Sequence, residues 1–405
     1  MQPNSRLPAS LDGSHLEVRL PMRKSVPFDT FVVKIVSRCN LNCSYCYMYN
    51  LQDKTYRDQP GVMPTAVAAA LGRRITDHLR RHNRRHAHII LHGGEPLLIG
   101  KSRFREWMNE VREALGSGIE AWFSLQSNGV LIDDEWIELL ASEAVGIGLS
   151  VDGPRFWHDR FRVDHAGVGS YDAVVAAIRR LQSHSRGPEI FSNVMAVINT
   201  DISPDGLFEF WQFLGVRGFD LTLPHANHSH PPAIGKLSYG DWMIRFFDRW
   251  FDANQPDRSV RYFDNMLRLL FEYPMSTDNI GGRPVGVVVV ETNGGIEPTD
   301  AFKCCENGLT KLGLNILHDD FDDLYGIDMV NVLQHGVERL CDTCQECQVR
   351  DVCGGGYMPH RYRAGSGFDN PSVYCDDIFR LITHIRARVS AELTRDFPIA
   401  LEGSL

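Results

Sequence analysis

No apolar run in this 405-residue sequence approaches the roughly 20 residues needed to cross a bilayer, so a membrane span is not expected. Basic residues are in deficit, 42 against 51 acidic, and the formal charge of −9 argues against nucleic acid as a partner. The N-terminal stretch MQPNSRLPASLDGSH lacks the charged-then-apolar pattern of a signal peptide, which points to the cytoplasm. Internal repeats and low-complexity tracts are missing. Hydrophobic residues make up 43% and charged residues 23%, a balance that excludes global disorder. The most informative gap is in cysteine. There are ten, yet none lies between Cys46 and Cys304. In a reducing compartment such a set argues for metal or redox chemistry over disulfides. Its distribution puts that chemistry at the two ends of a cysteine-free scaffold.

The scaffold alternates strand and helix. Short apolar runs at 31–36, 88–91, 121–125, 147–151, 190–198 and 219–223 read as strands. Between them, helical spacing is visible at Val67, Leu71, Ile75 and Leu79, at Phe104, Trp107, Val111 and Leu115, over 134–141, and at Val174, Ile178 and Leu181. Ser203 and Pro204 read as the N-cap and first residue of a helix ending at Leu214. Six such units predict a parallel sheet with crossover helices, too few for a closed eight-stranded barrel. The expected organisation is an N-terminal extension (1–27), a partial (β/α)6 barrel (28–235), a helical linker (236–285), a cysteine-bearing domain (286–385) and a tail (386–405).

Directly after the first strand comes Cys39-Asn-Leu-Asn-Cys43-Ser-Tyr-Cys46. Three thiolates within eight residues can converge on one iron–sulfur centre and leave a coordination position open. His92-Gly93-Gly94-Glu95-Pro96 follows the second strand, where glycines let backbone approach a ligand closely. Gln126-Ser127-Asn128-Gly129 ends the third strand, and Ser150 and Asp152 end the fourth. These are the carboxyl ends of strands, where parallel α/β sheets bind ligands.

CNLNCSYC resembles the C-x3-C-x2-C signature of radical S-adenosylmethionine (radical SAM) enzymes. The resemblance implies a [4Fe–4S] cluster on Cys39, Cys43 and Cys46. Its free iron would chelate the methionine moiety of S-adenosylmethionine, and cleavage of that cofactor would give a 5′-deoxyadenosyl radical that abstracts hydrogen. It further implies Tyr45 beside the adenine, Gly93, Gly94 and Glu95 near the methionine amine, and Ser127, Asn128, Ser150, Asp152 and Arg162 around the rest of the cofactor. Cys344, Cys347, Cys353 and Cys375 resemble the ligands of an auxiliary [4Fe–4S] cluster in a SPASM domain, so the implied fold is a radical SAM partial barrel with a SPASM-like C-terminal domain. Thr299 and Tyr357 stand where that pattern carries cysteines of a second, nearer cluster, which leaves Cys304, Cys305 and Cys341 unassigned. Asp300 matches the position of an acid/base aspartate in sulfatase-maturing relatives.

The stretch SRCNLNCSYCYMYN and the segment CGGGYMPHRYRAGSGFDNPSVYC together resemble the three-residue cyclophane-forming peptide maturases over about residues 28–385. This implies a carbon–carbon crosslink between an aromatic ring and a nearby Cβ of a ribosomally made precursor peptide. An external flavodoxin- or ferredoxin-like electron donor is implied as well. The alternative within the same fold is oxidation of Cys or Ser to formylglycine by an anaerobic sulfatase maturase. Two further features carry expectations. His225, His228 and His230 follow the sixth strand and are placed to line a substrate pocket, and the arginine-rich stretch 73–85 is placed to meet an acidic leader peptide or to form a solvated helix face.

Overall fold

The computed structural model describes residues 25–273, 275 and 277–396. Most of the expected N-terminal extension (1–24) and the end of the expected tail (397–405) lie outside the described residues.

One nine-stranded sheet organises the chain. Its strands are β1 (Thr30–Val36), β2 (His86–Gly93), β3 (Glu120–Ser127), β4 (Val145–Ser150), β5 (Phe191–Val197), β6 (Gly218–Thr222), β7 (Ser259–Val260), β8 (Val287–Val290) and β9 (Ile296–Glu297). They lie in the order β7-β6-β5-β4-β3-β2-β1-β8-β9. All pairings are parallel except β8 with β9. The six strands read from the sequence are the six of the barrel. At the far end of the sheet, the four-valine run β8 pairs with β1 (Phe31 opposite Val288), so the C-terminal region extends the same sheet. Along β2, β3 and β5 buried residues alternate with half-buried ones, the buried set packing under the crossover helices.

Crossover helices Thr65–Arg81, Lys101–Leu115, Asp134–Ser142, Tyr171–Ser183 and Pro204–Leu214 cover the outside. Ser203 caps the last of them, its hydroxyl accepting from the Gly206 N–H at 3.5 Å. The first two helices touch closely at Gly72, where a Cβ would lie 2.6 Å from that of Ala114. Beyond β6, helices Tyr239–Ala253 and Arg261–Leu270 lead to the cysteine-bearing region. Among the helices not anticipated, two matter here. Arg155–Phe161 follows β4, and Cys375–Asp396 packs its buried Ile378, Leu381, Ile382 and Ile385 against the rest of the protein. Residues 187–190 form a helical turn, so the fifth strand starts at Phe191 instead of Ile190.

Strand alternation sets up the interior. Along β1, Phe31, Val33 and Ile35 face one side and are fully buried. Val32 and Lys34 face the other. Val32 lines a cavity of about 610 Å³ inside the partial barrel, together with Gln126, Met195, His92, Asp300 and Tyr357.

Candidate active site

The cysteine loop is folded back on itself. The Cys46 N–H donates to the Cys43 carbonyl at 3.0 Å, and the Cys46 carbonyl accepts from the Asn50 N–H at 2.8 Å. Outside contacts tie the loop down. Asn42 N–H donates to Val163 O at 2.7 Å, and Ser44 N–H to Phe161 O at 3.1 Å. Burial pushes the Cys39 thiol up to about 12, with Glu95, Cys46 and Cys43 adding to the effect. Burial also raises Cys43 and Cys46. Three thiols this close resist ionising together, so holding them as thiolates requires a positive centre. Their sulfurs do not all lie within 4.8 Å of one another, the spacing a single ion would demand. The donor set therefore fits a multi-iron cluster better than one ion.

Glycines press the next loop onto this one. A Cβ on Gly93 would sit 2.0 Å from the Val36 carbonyl oxygen, and one on Gly94 would sit 2.2 Å from both the Arg38 oxygen and the Tyr49 hydroxyl. The Gly94 and Glu95 N–H groups donate to Val36 O and Arg38 O at 3.0 and 2.9 Å. Glu95 then reaches across to β3. Its carboxylate accepts from the Ser127 hydroxyl at 2.9 Å, the Asn128 N–H at 2.8 Å and the Leu97 N–H at 3.1 Å. Burial nonetheless raises Glu95 to about 7, outweighing these donors. Asn128 carries the link onward, its Nδ2 donating to Asn40 Oδ1 at 2.8 Å with Cys39 Sγ at 3.8 Å. Glu95, Ser127 and Asn128 thus brace three strand-end loops around the cysteines.

On the other flank Tyr45, Asp152 and Arg162 form one network. The Tyr45 hydroxyl donates to Asp152 and accepts from Arg162 Nη1 at 2.6 Å. Asp152 also accepts the Val197 N–H at 3.2 Å. Burial opposes the Arg162 charge, but Tyr45, Asp152 and Cys43 outweigh it and keep the guanidinium protonated. Its Nε is buried with no hydrogen-bond partner. An orphaned, charged donor beside the cysteine loop suits an anionic group such as the carboxylate of an amino-acid cofactor. Ser150 stands apart from this network and accepts from Gln126 Nε2 at 3.0 Å.

Asp300 also faces the cavity. Lys34 forms an ion pair with it, and the Tyr47 hydroxyl donates to the same oxygen at 2.8 Å. Burial works against the carboxylate's charge, yet Lys34, His92 and Tyr47 hold it well below the usual range. Lys34 Nζ also lies 2.8 Å from His92 Nδ1. Burial, then Lys34, lowers His92 to about 4, so that imidazole is neutral. Sequence reasoning missed Lys34, Tyr47 and His92 as neighbours of Asp300. The available signal was a lysine at an inward position of an otherwise apolar strand.

In the C-terminal region Cys344, Cys353 and Cys375 perturb one another, and Cys347 acts on the latter two. Cys341 belongs to this corner, its free thiol hydrogen-bonded with that of Cys344. Cys304 and Cys305 sit elsewhere, with sulfurs 3.9 Å apart. Cys304 is lowered by its hydrogen bond with the Cys305 thiol and by His225. Tyr357 and Thr299 meet side chain to side chain, with Asp278 acting on Tyr357.

Two expectations need correction. Of the three histidines, only His225 lines the cavity. His228 instead holds the Pro371 carbonyl at 2.8 Å, because its loop is pinned to the C-terminal region. The arginine-rich helix is not a free surface along its length. Arg74 and Arg81 pair with Asp320, and Arg81 also with Asp322, in that same region. His78, His82 and Asp322 are, among the described residues, the one group with ligand atoms within 4.8 Å of one another. The Phe28 N–H donates to His78 Nε2 at 3.0 Å, which leaves the ring proton on Nδ1, facing Asp322 at 2.6 Å. Both nitrogens are thereby used, so the group bolts the two regions together.

Residues 33–210 match the family described as the Radical SAM superfamily. They form a radical SAM domain. Through that domain the chain carries radical SAM chemistry, a general oxidoreductase-type reaction. Its cofactors are S-adenosylmethionine and a [4Fe–4S] cluster, and its SPASM-like cysteine-rich C-terminal region points to auxiliary clusters. The chain is 24% identical over 354 residues to a cysteine-type anaerobic sulfatase-maturating enzyme of Clostridium novyi, covering 84% of this chain and 90% of that protein. It is 25% identical over 394 residues to the serine-type enzyme of Klebsiella aerogenes, covering 94% and 90%. The structure of native anSMEcpe with bound AdoMet and Cp18Cys peptide has the same fold, with a TM-score of 0.76 at 22% identity over 91% of this chain and 99% of that one.

These relatives overturn the expected cyclophane-forming reaction. The segment that suggested it has structural duties. Gly354, Gly355 and Gly356 all take positive φ (61°, 81° and 66°), and a Cβ on Gly354 would lie 1.8 Å from the Gly282 nitrogen. Arg361 is buried and donates to the carbonyls of Phe368, Asn370 and Arg339. A motif that staples the C-terminal region to itself says little about the bond being made.

Proposed function

We propose that this radical SAM enzyme oxidises a Cys or Ser side chain of a peptide segment to formylglycine, as an anaerobic sulfatase maturase. The observation that carries this reading is the alignment with both cysteine-type and serine-type maturases along nearly the full length of each. Cys39, Cys43 and Cys46 hold the cluster in this reading. Gly93 and Gly94 shape the methionine end of the cofactor pocket, and Arg162 offers its unpartnered Nε to the carboxylate. Ser127, Asn128, Ser150, Asp152 and Tyr45 complete the pocket directly or by bracing it. Cys344, Cys347, Cys353 and Cys375 hold an auxiliary cluster. When bound, cluster and S-adenosylmethionine supply one-electron chemistry able to remove a hydrogen atom from an unactivated carbon.

The remaining work belongs to the cavity. A substrate side chain that has lost Cβ–H still has to lose one electron, for which the auxiliary cluster held by Cys344, Cys347, Cys353 and Cys375 would be the acceptor, and the proton on sulfur or oxygen. On a Cys substrate, water then converts the thioaldehyde to the aldehyde and the sulfur leaves as hydrogen sulfide. Asp300 lines the cavity as an anion and receives that proton at a carboxylate oxygen. The peptide enters between the strand-end loops and the C-terminal region, and an external reductant supplies the electrons for turnover.

The test is to incubate the reconstituted, reduced enzyme with S-adenosylmethionine and sulfatase-derived peptides bearing Cys or Ser. Mass spectrometry with aldehyde trapping should show sulfur lost from the Cys peptide, or two hydrogens lost from the Ser peptide, with 5′-deoxyadenosine formed alongside. A crosslinked product, or no aldehyde from either peptide, rejects the reading.

A further inference from the structure

Lys34 is wholly buried on β1, five residues before the first cluster cysteine. A lone ammonium inside a protein is costly, and it persists only with a partner of opposite charge. Here the partner is Asp300, which arrives from the C-terminal region, 266 residues further along the chain. The same ammonium donates to His92 on β2 at 2.8 Å. Lys34 is not among the residues lining the cavity, whereas both of its partners are. It therefore stands behind the two groups that face the substrate, and fixes both.

The groups around Asp300 can be named element by element. Lys34 comes from β1, the Tyr47 hydroxyl from the cysteine loop, and His92, 4.0 Å away, from β2. From the C-terminal side Tyr357 and Asp278 lie at longer range, and burial together with the Asp300 charge raises both of them. Lys303, on the same short helix as Asp300, turns away to pair with Glu291 and Glu297 at 3.0 Å. Lys34 is thus the single cation bonded to Asp300 among the described residues.

We propose that Lys34 is a positioning residue: it keeps the Asp300 carboxylate anionic and aimed into the cavity, and by donating to His92 holds that imidazole in one orientation on the substrate wall. This rests on the proposed reaction for its kinetic consequence, while the pairing itself does not. A carboxylate held low stays ionised until the pH falls through its lowered value. With Lys34 gone, burial acts against the charge and the Tyr47 hydroxyl is the bonded donor left in support. The acid limit of activity then moves to higher pH.

The experiment compares wild type, Lys34→Met, Lys34→Arg and the double variant Lys34→Met with Asp300→Asn, all as reconstituted holoenzyme. For peptide oxidation, the acid limb of the kcat/KM profile should rise by at least one pH unit in K34M and return toward wild type in K34R. An unmoved acid limb in K34M with a uniform loss of rate overturns the proposal, and so does an arginine variant no better than methionine. Thermal unfolding gives a readout that needs no substrate. K34M should melt lower than wild type near neutral pH, and the double variant should recover part of that loss by removing the stranded charge. A double variant that melts lower still overturns the pairing. If wild type forms no aldehyde, the proposed reaction fails, while the melting comparison still decides the role of Lys34.

Discussion

Arg162 is buried and bonded to Tyr45 through Nη1, yet its Nε faces no acceptor inside the protein. A lost hydrogen bond to a charged group is worth about 1.5–3 kcal/mol. Arg162→Gln should therefore weaken S-adenosylmethionine binding roughly 10- to 100-fold. Isothermal titration of the anaerobic holoenzyme checks this, and an unchanged affinity would remove Arg162 from the cofactor pocket. Cys43→Ala should abolish reductant-dependent 5′-deoxyadenosine, and retained production would dismiss the loop as the cluster site. Glu95 behaves oppositely to Asp300. Its carboxyl is raised, from about 4.5 to about 7, so the fold favours its neutral form and loses stability as pH climbs through that window. The loss approaches roughly 3 kcal/mol by pH 8. Glu95→Gln should flatten that part of the stability profile in melts at pH 5 and pH 8; equal slopes in both proteins would argue that the carboxyl titrates normally.

Among the elements, the strands were the most legible from sequence, and physics explains why. A parallel strand packed against crossover helices is predominantly apolar, so Phe31–Val36, apart from Lys34, and Ile147–Leu149 announce themselves. The helix Cys375–Asp396 was equally written, in Ile378, Leu381, Ile382 and Ile385 at i, i+3, i+4 and i+7, but the cysteine that opens it drew attention away from that period. Ile382 is fully buried. Ile382→Ala should cost about 2–5 kcal/mol in denaturant unfolding, and a cost near zero would mean the helix is not part of the cooperative core. The cysteine loop and the strand-end motifs were readable because their spacing is local. The Lys34–Asp300 pair was not, because its members are joined only by the fold. The glycine-rich segment near Gly354 misled for a related reason. Sequence shows that such a segment is specific, without showing whether it is specific for a substrate or for its own turn.

At the scale of the whole molecule, the two cysteine-bearing ends are parts of one sheet. Cluster content follows from how the thiols group. Cys341 joins the C-terminal corner, and Cys304 and Cys305 are held apart beside His225. Two clusters, about eight irons per chain, are expected after reconstitution, falling to about four in Cys353→Ala. Twelve would show that the three unassigned thiols build a third.

The pairing of β8 with β1 has a consequence for biosynthesis. The strand that introduces the cysteine loop emerges from the ribosome early, yet one of its two hydrogen-bonding neighbours is encoded about 250 residues later. Through most of translation that edge is bare, and a bare apolar edge invites pairing with other chains. Nascent-chain chaperones and the timing of iron delivery thus become part of the conditions under which this enzyme can be made. Slowing elongation before residue 287 should increase the insoluble fraction.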